Sequence, residues 1–163
     1  MLLRAIAAVA AWEATWWAVR THNRSSTYQC AARRAAALGR PLLVVGAPDG
    51  GVTSGYGCGD LTLDLTKSSC PNHIQADITK QIPLNNDSVV VFVSCVLEYV
   101  NDLDAAMREL VRVSGGNLFI TRVEPWTLTA YLYPGAKRTI PASLSSGGSC
   151  TMIQARSGLV PKQ

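Results

Sequence analysis

The feature that most constrains this chain is one uninterrupted stretch, "VVVFVSCVLEYVNDLDAAMRELVRVSGGNLFI" (89–120). An apolar run of strand length (89–95) leads into an amphipathic segment, and a second apolar run follows (117–123). In the amphipathic segment Leu103, Ala106, Met107, Leu110 and Val111 recur at helical spacing, Asn101 or Asp102 is placed to cap its start, and Gly115 and Gly116 stop it. A strand, a helix and a strand joined by short connections form a parallel pair. The expected architecture is therefore an α/β fold around a parallel sheet.

Further apolar runs at 42–46 and 61–65, with a weaker one at 73–77, extend that sheet toward the start of the chain. With 163 residues, 48% of them hydrophobic and 16% charged, the chain suits one globular domain plus an appendage. The division expected is a hydrophobic N-terminal helix (1–24), an Ala/Arg-rich helix or linker (25–40), the α/β domain (41–156) and a tail (157–163). "CTMIQAR" is a candidate final strand.

Charge is uneven. Six Arg stand against Glu13 in residues 1–40, ten acids against five bases in 41–124, and four bases against no acid beyond that. The net charge of +4 thus comes from the two ends, while the folded centre is acidic, which argues against a nucleic-acid surface. The odd set Cys30, Cys58, Cys70, Cys95 and Cys150 contains no C-x-x-C pair and fits neither a disulfide framework nor a metal site; reduced thiols in a cytoplasmic compartment are expected.

Residues 2–19 are apolar apart from Arg4 and Glu13, with Trp12, Trp16 and Trp17 gathered before Arg20, His22 and Arg24. Read as a transmembrane helix, this places an aromatic belt before a cationic flank and turns the domain toward the cytosol. A helix packed on the domain or lying on a membrane surface competes with that reading, and a cleaved targeting peptide fits less well because Glu13 and the tryptophans interrupt it.

"LLVVGAPDGG" (42–51) runs a strand into glycines, as nucleotide-binding loops do, although Gly46, Gly50 and Gly51 equally suit a plain tight turn. Asp64 ends the next apolar run, where a carboxylate accepts charged hydrogen bonds from a ribose diol, and Asp77 ends the one after it.

From here the chain resembles the class I S-adenosylmethionine-dependent methyltransferases. Ile82, Pro83, Leu84, Asp87, Ser88, Ser94, Val96, Leu97, Glu98 and Val100 follow that family's fourth-strand block, and Glu109, Leu110, Arg112, Val113, Gly115 and Gly116 its following helix and glycine pair. The resemblance covers residues 42–123. It implies a Rossmann-like, mostly parallel sheet and S-adenosyl-L-methionine as cofactor. Gly46, Ala47 and Gly50 would lie beside its methionine part and Asp64 on the ribose. Asp77 with Ile78 would meet the adenine, and Ser94 with Cys95 would floor the cleft.

Two departures stand out. Val44 replaces the usual acidic residue, and Pro48 replaces a glycine and removes an N–H donor, leaving Asp49 to face the cofactor's ammonium group. Residues 47–63 and 65–76 are also too few for full crossovers, so the first crossover helices are expected to be shortened or missing.

The activity implied is methyl transfer to an unidentified acceptor, a small or lipid-like molecule, at a membrane if residues 2–19 insert. The alternative is a non-catalytic binding or assembly module. A nicotinamide-dependent oxidoreductase would explain neither Asp77 nor the fourth-strand block. Glu98 and Tyr99 are the weak catalytic candidates, each with a packing or capping alternative; Cys95 suits a small apolar wall better than a nucleophile, and His22 and His73 suit surface or structural roles.

Overall fold

The computed structural model describes residues 2–48, 55–124, 126–127 and 135–153. In chain order these form helix α1 (Leu2–Leu38) and strands β1 (Leu42–Val45), β2 (Leu61–Asp64), β3 (His73–Gln75) and β4 (Val90–Ser94). Helix α2 (Leu103–Ser114), strand β5 (Leu118–Thr121) and one helical turn at Ala142–Leu144 follow. The five strands make one sheet in the order β3-β2-β1-β4-β5. Every pairing is parallel, with Val44 beside Thr62 and Phe92, and Val93 beside Ile120.

The central strands are continuous apolar runs because both faces of the sheet are covered. Successive side chains alternate between faces. Leu43, Val45, Leu63, Val91, Val93, Leu118 and Ile120 pack toward Ala106, Met107, Leu110 and Val113 of α2. The interleaved Leu42, Val44, Val90, Phe92 and Phe119 pack toward Cys30, Ala31 and Ala35 of α1. Ala31 is fully buried, and its small side chain lets the helix lie close on the sheet.

The two helical stretches read from the sequence are thus one helix, and its second half does the work of the shortened crossovers. Among the described residues no α-helix lies between β1 and β2 or between β2 and β3. The described residues just before β2 lean on α1, with Gly55 against the Thr21 carbonyl and Gly57 against the Tyr28 hydroxyl.

Three expectations need correction. No helix among the described residues is long and apolar enough to cross a membrane. In the first half of α1, Arg4 and Glu13 interrupt the apolar run; further on, Arg20 is buried and Arg24 reaches Cys95 of the domain. The thiols expected to be reduced pair as two disulfides, Cys30–Cys150 and Cys58–Cys70, whose Cα separations of 5.1 and 5.6 Å suit the bond. Each pair is formed by the fold, between positions whose spacing carries no signature. Finally, residues 150–153 form no strand; they meet β5 through the Ile153 amide on the Leu118 carbonyl, and Ser146 ahead of them donates its amide to the Ile120 carbonyl.

The residues of the resemblance that precede and follow β4 act as a latch. Arg112 donates to the carbonyls of Ile82 and Leu84, both at 2.9 Å, and pairs with Glu109, which also accepts from the Ile82 amide. Asp102 caps α2 by accepting from the Ala105 amide, and Gly115 ends it in the left-handed conformation. A Cβ on Gly115 would collide with Asp87, whose carboxylate pairs with Arg40 beyond the end of α1.

Candidate functional site

Strands of an open parallel sheet present ligands at their carboxyl ends, and a cavity of about 720 Å³ opens there. Gly46, Ala47, Asp64, Asp77, Ile78, Ser94, Cys95 and Tyr99 all line it. The structure therefore gathers the site residues expected from the sequence around one space, apart from Glu98; Asp49 and Gly50 lie outside the described residues.

Gly46 is required by geometry. Its φ is +93°, and a Cβ there would stand 2.6 Å from Val96 Cγ2 and 3.1 Å from the Ser94 carbonyl oxygen. The bare backbone lets β1 turn past the end of β4. The Gly46 amide donates to the Leu63 carbonyl at 3.0 Å, and the Ala47 amide donates to Asp64 Oδ2 at 2.9 Å. Pro48 has no N–H. The described part of the glycine turn, residues 46–48, therefore keeps no backbone donor for a ligand; it serves by close approach.

Asp64 also accepts at Oδ1 from the Thr66 amide and hydroxyl, both at 2.9 Å. A carboxylate offers about four acceptor sites, so room for a further donor remains on its cavity side. Asp77 accepts at Oδ1 from the Thr79 hydroxyl and amide at 2.7 and 2.9 Å. Those two bonds hold its carboxyl below the ordinary range, and the group stays ionised as an acceptor.

After β4 the chain turns sharply at Cys95, which has a φ of +51°. Burial pushes its thiol up despite Arg24, whose guanidinium donates to Sγ at 3.1 Å. A raised pKa leaves a wall and no nucleophile. Glu98 lies behind that wall. It is 3% exposed, its Oε1 accepts from the Val123 amide at 2.6 Å, and its Oε2 has no hydrogen-bond partner in the protein. Burial raises its carboxyl above the ordinary glutamate value. Glu98 thus ties the segment after β5 to the segment after β4, away from the cavity lining.

Sequence reading missed one side of the cavity. Trp17, Arg20, Thr21 and Arg24 line it from α1, and Tyr56 lines it from the loop before β2. The 17-20-21-24 spacing is one helical face and was open to reading, but beside three tryptophans it looked like a membrane flank. Tyr56 packs edge-on against Phe92 and donates to the Gly46 carbonyl at 3.2 Å, and burial, the largest influence, raises its pKa.

Compared with known proteins, residues 58–120 match the family described as methyltransferase domain. No curated protein and no solved structure matches the chain. The matched stretch runs from the loop before β2 into β5, and so contains Asp64, Asp77 and the turn after β4. Sheet order and the ligand edge agree with this match, which spans 63 of the 163 residues and supports a methyltransferase domain of the class I S-adenosylmethionine-dependent type.

Proposed function

We propose that the chain binds S-adenosyl-L-methionine across the carboxyl ends of β1 to β4 and transfers its methyl group to a small-molecule acceptor. One observation carries the reading: Gly46, Asp64 and Asp77 follow or end the three neighbouring strands β1, β2 and β3 and open onto a single cavity. Its volume falls within the roughly 300–1,000 Å³ of small-molecule sites. Asp64 and Asp77 are acceptors suited to a ribose diol and a base amine, and Gly46 admits a ligand where any Cβ would block the turn.

When bound, the cofactor supplies an electrophilic methyl on a sulfonium. The chain's part is to hold the two reactants in line and dry, which is the larger share of such a reaction. Ser94, Cys95 and Val96 floor the cavity beside Tyr99. With the thiol protonated and Glu98 behind the wall, these residues position and exclude water.

A non-catalytic binding module is the second reading. The engaged amides of Gly46 and Ala47 and the absence, among the described residues, of α-helices between β1, β2 and β3 favour it. Calorimetric titration of the full chain with S-adenosylhomocysteine, with NAD as control, tests binding. Selective binding with methyl incorporation into an acceptor panel supports the enzyme; selective binding without incorporation supports the module, and no binding rejects both uses of the site.

A further inference from the structure

Resting on the cofactor reading above, one question follows from the turn at Gly46: what holds the cofactor's amino-acid end? The amides of Gly46 and Ala47 are engaged within the protein, and Pro48 has none. A carboxylate brought into the cavity therefore finds no backbone donor among residues 46–48, and leaving a buried charge unmatched is costly.

Asp64 ends β2 and Asp77 lies just after β3, both on one side of β1, so the nucleoside end belongs there. The amino-acid end then reaches over β1 toward β4. That is where Arg24 stands: its guanidinium contacts Cys95 Sγ directly after β4, and Tyr56, which bonds the Gly46 carbonyl, lies within its electrostatic reach. Arg20, buried one turn earlier on the same helical face, lines the same cavity. Guanidinium matches carboxylate geometry with two parallel donors.

We infer that Arg24 of α1 anchors the carboxylate of the cofactor's methionine part, in place of the engaged amides of Gly46 and Ala47, with Arg20 adding a second positive charge behind it. A helix that lies outside the family match thereby supplies a contact to the cofactor.

The test compares two ligands on the full chain. S-adenosylhomocysteine carries the amino-acid end; methylthioadenosine lacks it. Wild-type protein should prefer the former by roughly tenfold or more, as expected for charged hydrogen bonds. Arg24→Met should bring S-adenosylhomocysteine down to the affinity of methylthioadenosine and leave the latter's affinity unchanged, which also shows that the variant is folded. Arg24→Lys should recover part of the difference. If Arg24→Met leaves S-adenosylhomocysteine affinity intact, the carboxylate is held elsewhere and the inference fails while the cofactor reading stands. If neither ligand binds wild type, the cofactor reading fails and the inference with it.

Discussion

The Ala47 amide donates to Asp64 Oδ2 at 2.9 Å, so the turn after β1 is closed by the carboxylate at the end of β2. One side chain holds the loop and faces the ligand. Asp64→Ala should therefore lower S-adenosylhomocysteine affinity roughly tenfold or more and also cost about 1–3 kcal/mol of stability by leaving the Ala47 and Thr66 donors unmatched. Calorimetry and denaturant unfolding read the two effects separately. An unchanged affinity would move the ribose contact to another residue.

Gly46→Ala should be the more damaging change. It places a Cβ 2.6 Å from Val96 Cγ2 and forces an L residue to a φ of +93°. A loss of about 2 kcal/mol or more is expected from strain and overpacking together. Adding Val96→Ala should return only the steric part, because the Ser94 carbonyl and the dihedral remain; full recovery in urea unfolding would show that the backbone there accepts a side chain.

The disulfides make a countable prediction. Unfolded without reductant, the chain should present one titratable thiol, that of Cys95. Five reactive thiols would mean that neither pair forms. Reduction should lower the melting temperature, and Cys30→Ser should cost more than Cys58→Ser, since the loops closed differ as 120 against 12 residues. Loop-closure entropy puts the longer one at about 4–5 kcal/mol and the shorter at about 3.

Glu98 gives a pH signature. Its folded pKa is raised, so the folded state holds the proton more tightly than the unfolded chain does. That contribution is fully present below the ordinary glutamate value and is lost as pH rises through the raised one. Glu98→Gln keeps an acceptor for the Val123 amide and removes the charge. Its stability relative to wild type should therefore climb from acidic to neutral pH, as measured by melting curves across that range. A difference that is flat with pH would show that Glu98 titrates alike in the folded and unfolded chain.

Most of the sheet was legible because β1, β4 and β5 are buried on both faces and read as unbroken apolar runs. The capped, amphipathic α2 was equally plain. What the sequence hid depends on distance. Whether residues 2–19 meet lipid, solvent or protein turns on what lies opposite, and Trp16 in fact meets Trp126 edge-on. Arg20 and Arg24 look the same in sequence whether they face a bilayer or a cavity. Cysteine partners have no local signal. Of the residues that carry the family resemblance, Ile82, Leu84, Glu109 and Arg112 hold α2 to the loop before β4 and touch no part of the cavity, whereas Ser94, Val96 and Val100 line it.

The staple between residues 30 and 150 has a kinetic side. During synthesis α1 emerges first, but its seat on β4 and β5 exists only after most of the chain has left the ribosome. Until then its alanine face and Tyr28 have nothing to pack on. The cavity wall it supplies is therefore assembled late, through contacts of high sequence separation that fold slowly. Closure of the bond then fixes that wall and marks the moment at which the cavity becomes complete.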